Sequence, residues 1–273
     1  MGQSGAMIRM ALVLLSSLLV VSCPASAADR ILAAEGDYVA QSNPSKPLAH
    51  WKVWHFRTGE YEVVETLAGP LRNIVQVFRF DSRFLPNGFS LTIDTQPAIP
   101  DAQRQKLPMV ASYPTIISCR YGVEDLGCDT ESDGKRSAIS IPAKPPYIFV
   151  FGEFYRLDQT WLATGVFRLT KQNYSEDNAV KVYEMLDNKI RAGQAIQLTY
   201  VGERTANVMG KSQPVTEYEV WTGSKPGEWV LSKLSVLQVT SQGLVASIRG
   251  KSEPGSGYAM ANYKEYESWL PSR

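Results

Sequence analysis

Two carboxylates draw attention through their neighbours. Residues 147–170, YIFVFGEFYRLDQTWLATGVFRLT, carry seven aromatic rings, no proline, and the acids Glu153 and Asp158. A pair of carboxyl groups beside aromatic faces is the equipment of a glycosidase, one serving as acid and the other as base or nucleophile. One such pair in a chain with 27 acids is close to chance, and Arg156 lies between them as an ordinary ion-pair partner. A glycan-acting enzyme therefore ranks last among the functions these residues allow. No catalytic residue is assigned.

Other reactive groups are few. His50 and His55 are the only histidines. Five positions apart on a strand puts them on opposite faces, and no Cys, Asp or Glu completes a ligand set, so no metal is expected. There is no G-x-S-x-G elbow for a serine nucleophile. Gly255-Ser256-Gly257 shares only the glycines and reads as a hairpin turn. A P-loop and a G-x-G-x-x-G after a strand are both missing, so no nucleotide or other cofactor is expected. Cys119 and Cys128 lack the C-x-x-C spacing of a redox pair.

Compartment decides what those cysteines do. Residues 11–22, ALVLLSSLLVVS, form an apolar run of signal-peptide length, too short to span a bilayer, and Ala25-Ser26-Ala27 is an A-x-A cleavage site. Residues 1–27 therefore read as a signal peptide, removed near Ala27, and the mature chain is expected in the periplasm or outside the cell. Val20-Val21-Ser22-Cys23 also resembles a lipobox, which leaves a lipoprotein anchored through Cys23 as the alternative. No later run is long and apolar enough for a transmembrane helix. In an oxidising compartment Cys119 and Cys128 are expected to form a disulfide. Arg9 is the sole charged residue in the leader, and removing it from the 28 bases leaves 27, equal to the 27 acids. A neutral mature chain with interspersed charges has no electrostatic reason to seek nucleic acid.

The elements that must position these residues are strands. Residues 28–47 are small, polar and proline-containing, and read as a flexible lead-in before a single β-rich domain over 48–273. Residues 51–57 and 61–65 form a hairpin about Thr58-Gly59-Glu60. Residues 73–80, NIVQVFRF, alternate so that one face is apolar apart from Gln76. Pro86-Asn87-Gly88 reads as a turn before a strand over 89–94. The proline-rich segment 96–114 is a covering or functional loop. Strands follow at 115–121, 127–131 and 137–141, the last pair turning at Ser132–Lys135. A short apolar strand over 148–151 is expected to be buried on both faces, and 157–167 is a turn leading into a strand. Residues 179–186 turn at Asp187-Asn188 to pair with 195–201. Further strands cover 205–209, 215–221, 229–239, 244–249 and 258–269. Short turns without helix patterns between them argue for antiparallel meanders. The fold class is all-β: one large curved antiparallel sheet, a half-barrel or incomplete barrel, with few short helices.

Such a sheet supplies a concave face. Phe78, Phe80, Phe149, Phe151, Tyr155, Trp161 and Trp221 are its candidate lining for an apolar ligand, against the plain alternative of a packed core. Three stretches also carry a likeness: the two cysteines followed by PYIFVFGEFYRLDQTWLATGVF, then YVGERTANVMGKSQPVTEYEVW, then WVLSKLSVLQVTSQGLVASIRG with a closing YKEY. In these the mature chain resembles uncharacterised exported bacterial proteins of domain-of-unknown-function type, thought to share a curved half-barrel sheet with the periplasmic lipoprotein-localisation carriers. The resemblance implies a binding or envelope-assembly role, with a lipid or an acylated protein as partner, and brings no catalytic residue. A structural or interaction protein of the cell envelope, its sheet fully packed, is the alternative.

Overall fold

The computed structural model describes residues 29–68, 72–95, 116–132, 134–144, 147–151, 180–186, 189–223, 228, 230–242, 244–251 and 257–269. Among them are fifteen strands. The first meander comprises β1 (Arg30–Ala40), β2 (Asn43–Phe56), β3 (Tyr61–Ala68), β4 (Arg72–Phe80), β5 (Pro86–Thr95), β6 (Ile116–Tyr121), β7 (Asp125–Ser132) and β8 (Lys135–Pro142). After it come β9 (Tyr147–Phe151), β10 (Val180–Leu186), β11 (Lys189–Val208), β12 (Lys211–Gly223), β13 (Val230–Thr240), β14 (Val245–Arg249) and β15 (Gly257–Glu265).

All fifteen join one sheet, in the order β8-β7-β6-β5-β4-β3-β2-β1-β15-β14-β13-β12-β11-β10-β9. Each meander pairs with its sequence neighbours, and β1 with β15 welds the two together. The pairs are antiparallel except β9 with β10, which is parallel. Among the described residues the two ends of the sheet, β8 and β9, are consecutive in the chain. Four residues separate Pro142 from Tyr147, a reach of about 17 Å at full extension. The sheet is therefore a nearly closed barrel with one unsealed seam. Bulges in β15 at Ala261, opposite Asp37/Tyr38, and in β11 at Val201, between Tyr200 and Gly202, supply bends of the kind that curl a sheet.

Tyr147 fastens the seam. Its hydroxyl donates toward the carbonyls of Gly122 (3.3 Å) and Asp125 (3.2 Å). Its ring meets Tyr121 on one side and Tyr183 on the other. Just before it, the Ala143 N–H donates to Glu124 O at 2.9 Å.

Register converts alternation into layers of inward side chains across β1–β8. Nearest one end lie Tyr61 and Phe80. Next come Ala34, Val53, Val63, Phe78, Phe89, Cys119 and Cys128, all buried. The following layer is Gly36, Trp51, Glu65, Gln76, Leu91, Ile117 and Thr130. Beyond it stand Tyr38, Ala49, Leu67, Ile74 and Ile93. The disulfide between Cys119 and Cys128 joins directly opposed residues of β6 and β7, with Cα atoms 4.1 Å apart, on the inner wall.

The first layer is sealed by an unusual turn. Phe84 adopts φ 64°, a left-handed conformation that costs a bulky residue about 1–2 kcal/mol. Its ring is fully buried, stacked on Phe80 at 4.2 Å and meeting Tyr61 and Trp269 at 5.4 Å each. That burial contributes about 1.5–3 kcal/mol and offsets the strain. Asp81 holds the turn, its carboxylate accepting from the backbone N–H of Arg83 (2.9 Å) and Leu85 (2.8 Å).

Several expectations need correction. The lead-in of 28–47 is β1 and the start of β2, and β1 is central, with β2 on one side and β15 on the other. Its small residues fill tight space: a Cβ on Gly36 would collide with the Asn262 carbonyl and the Trp51 ring. The Pro86-Asn87-Gly88 turn is already strand; the reversal occurs at residues 81–85. The break before 205–209 is a bulge at Gly202 (φ 147°) within one 20-residue strand. The hairpins at Thr58-Gly59-Glu60 and 132–135 and the strand at 73–80 stand as read. β10 pairs with β11 as expected, but β11 begins at Lys189 rather than at 195, so only Val180 and Lys181 face Ile196 and Ala195 while Tyr183–Leu186 face residues 189–192. The segment 96–114, the turn at Asp187-Asn188 and residues 157–167 lie outside the described residues, as do 1–27.

Candidate functional site

The candidate lining residues divide. Phe78, Phe80 and Phe149 are fully buried. Phe78 meets Phe89 at 5.2 Å, and Phe89 meets Phe149 at 5.6 Å, so β9 reaches across the interior to β5. Phe80 belongs to the separate cluster with Phe84 and Trp269. Trp221 does not join them. It is half-buried on the face of β12 opposite Val220 and Thr222, whose register partners Leu198 and Ile196 are buried. Phe151 is in β9, with its side chain outside what is described; Tyr155, Trp161, Glu153 and Asp158 are outside the described residues altogether.

The histidines sit on opposite faces of β2, each beside a carboxylate. His50 Nδ1 lies 2.9 Å from Asp37 Oδ1, and His55 Nδ1 lies 3.0 Å from Glu267 Oε1. The His55 ring also stacks on Tyr61 at 4.5 Å. These contacts tie β1 and the C-terminal segment to β2. Among the described residues, no three of His, Cys, Asp and Glu are grouped as a metal ion would require. No helix among them is long and apolar enough to cross a membrane, which leaves open crossing by strands.

The interior holds one polar layer between apolar ones. Glu65 on β3 and Gln76 on β4 are register partners, and both are fully buried. Trp51 flanks Glu65 and Leu91 flanks Gln76. Directly opposed residues on neighbouring strands hold their Cβ atoms about 4.5–5.5 Å apart, so the carboxyl and the amide share one spot. Among the described residues neither Gln76 Nε2 nor Oε1 has a hydrogen-bond partner. Buried polar groups are nearly always paired, and an unpaired one points to strain, water or a function. Tyr38, in the adjoining layer, donates to the Val245 carbonyl at 3.1 Å. Burial, then the nearby Tyr258 and Glu65, push its pKa well above the ordinary tyrosine value. At the far end of the polar layer, Thr130 Oγ1 lies 2.7 Å from Ser137 Oγ.

A concavity of about 480 Å³ lies over the outer face of β4–β8. Its floor is a register row in which Arg79, Gly88, Arg120, Gly127 and Ser140 follow one another across five strands. Asp125 and Asp129 balance the two arginines. Arg79 lies 3.5 Å from Glu62, and Asp125 accepts from Ser140 Oγ at 3.1 Å. This open surface has no buried group awaiting a partner. The Glu65–Gln76 layer does, and it is the better candidate.

Part of that layer was visible in the sequence. Gln76 was the lone polar residue on the apolar face of 73–80. Glu65 shares the parity of Tyr61, Val63 and Leu67, but a single strand cannot say which parity is inward. No family model matches the chain, and no curated protein or solved structure matches it.

Proposed function

We propose that this is an exported, non-enzymatic binding protein whose barrel interior takes a hydrophobic or lipid-like guest, such as a lipid or an acylated protein. The observation that carries the reading is the strand count. A barrel of about eight strands is just filled by its own side chains, and larger barrels enclose ligand cavities or channels. Here 15 strands run from one side of the seam to the other. Their inward residues are predominantly apolar or aromatic, so the wall favours an apolar guest over water. The resemblance to the half-barrel carriers and the export signal point the same way.

A packed envelope protein that works through its surface is the competing reading. The contact of Phe149 with Phe89 and the Phe84–Trp269 seal favour it, because they fill parts of the interior. Native mass spectrometry of the purified mature chain, with titration of a fluorescent fatty-acid probe, separates the two. The binding reading expects co-purifying lipid, or saturable probe binding displaced by an unlabelled acyl chain. Absence of both leaves the packed protein.

A further inference from the structure

We propose that the concavity over the outer face of β4–β8 is a separate binding site, and that it takes a small zwitterion: an oxyanion, carboxylate or phosphate, and an ammonium a few bonds apart. The site lies outside the barrel and stands independently of what the interior holds.

Two glycines make the hollow. Arg79, Gly88, Arg120 and Gly127 are successive register partners on β4, β5, β6 and β7. Without side chains at 88 and 127, the surface is open on both sides of Arg120, and the resulting volume of about 480 Å³ is that of a small-molecule site. Arg79 leans across the first glycine, its Cδ 3.8 Å from where a Cβ on Gly88 would stand. Asp125 leans over the second, its Oδ2 3.8 Å from where a Cβ on Gly127 would stand. A cation and an anion thus tilt toward Arg120 from opposite sides.

The charges are apart rather than paired. Asp125 and Asp129 stand two residues to either side of Gly127, diagonal to Arg120 and about 7–8 Å from it, within reach of a long side chain. Among the described residues, Arg120 and Asp129 nevertheless enter no hydrogen bond or ion pair. Arg79 meets Glu62 through Nε at 3.5 Å, which keeps its two terminal nitrogens for another acceptor.

That separation selects the ligand. Two guanidinium groups on β4 and β6 and two carboxylates on β7 sum to zero. A plain anion gains the arginines but is repelled by the acids, and a plain cation meets the reverse. A zwitterion gives each charge its opposite, and the planar guanidinium fork fits a carboxylate or phosphate. Ion pairs at exposed positions are individually weak, so the affinity belongs in the millimolar range.

The test is an amide NMR titration of the mature, disulfide-bonded chain at about 10 mM ionic strength, where screening is weak. The probes are O-phosphoethanolamine and its two halves, methyl phosphate and ethanolamine. Wild type is expected to show saturable shifts centred on Gly88, Arg120 and Gly127 with O-phosphoethanolamine, and at least about tenfold weaker binding of either half. Arg120→Gln should weaken the zwitterion at least about tenfold, and Asp129→Asn should bring it to within about twofold of methyl phosphate. Both positions are exposed, so neither change threatens the fold. Co-sedimentation with phosphatidylethanolamine vesicles tells a lipid headgroup from a free solute as the source, and either source satisfies the inference. Absence of saturable shifts at these residues overturns it. Methyl phosphate binding as tightly as the zwitterion to wild type, or zwitterion binding unchanged in Arg120→Gln, overturns it too.

Discussion

Replacing Gln76 with methionine is expected to make the ligand-free protein more stable. A buried amide without partners costs about 1–3 kcal/mol relative to its hydrated state in the unfolded chain. Both polar atoms of Gln76 are in that position. Methionine has nearly the same length and volume and no polar atom in need of a partner, so it neither opens a cavity nor overpacks the layer. Glu65 loses a polar neighbour, which takes back part of the gain. We therefore expect about 1 kcal/mol of net stabilisation, or about 2–4 °C in Tm for a chain of this size. The assay is thermal and urea unfolding of protein stripped of ligand, with an unchanged urea slope showing that the unfolding reaction is the same. Gln76→Ala supplies the contrast: it removes the amide but leaves a cavity, so it should not stabilise. A Gln76→Met protein that melts at or below wild type refutes the reasoning, because it means that the amide is satisfied, as an internal water would satisfy it.

Other outcomes follow from the same geometry. Cys119→Ser should cost about 2–3 kcal/mol in urea unfolding, the loop-closure estimate for a nine-residue separation; the same loss in wild type under reductant, and none in the variant, checks the cause. Gly36→Ala should cost about 1–3 kcal/mol or more, because the added methyl meets a carbonyl and a buried indole; a variant with wild-type urea midpoint would remove the close-packing account of β1. Stability should also fall in alkali. Burial first, then the Asp125 carboxylate and Tyr183, push the Tyr147 pKa up to about 12. The folded chain thus holds that proton more tightly than the unfolded chain, so the contribution is complete below about pH 10 and lost as pH rises through about 12. Tyr38 acts in the same direction. A urea midpoint unchanged between about pH 9 and about pH 11.5 would contradict both assignments.

Much of the sheet was legible because strands advertise themselves with a two-residue period. Residues 73–80 gave a strand, a buried face and the exception on that face. What sequence could not supply was the relation between strands. β1 was missed because Ala33, Ala34 and Gly36 look too small to build a core, yet beside Trp51 and the β15 backbone small residues are what fits. Trp221 was counted as lining because it is large and apolar, but register places it opposite the buried Val220 and Thr222. The parallel pair of β9 and β10 escaped notice because both are short and nothing local in them records direction.

The carboxylates make the same point more sharply. Glu153 and Asp158 were conspicuous because aromatic residues crowd them along the chain. Glu65 was inconspicuous, one acid in an ordinary alternating strand. Crowding along the chain is a local property and does not determine burial in a sheet. Burial follows from parity on the strand and from what stands opposite on the two neighbours: Trp51 on one side of Glu65, Gln76 on the other. Two polar residues in successive strands, each on the apolar parity of its own strand, therefore carry more weight than either does alone. If the two strands pair in register, both side chains are held in the interior, and the Gln76 amide there has no hydrogen-bond partner among the described residues.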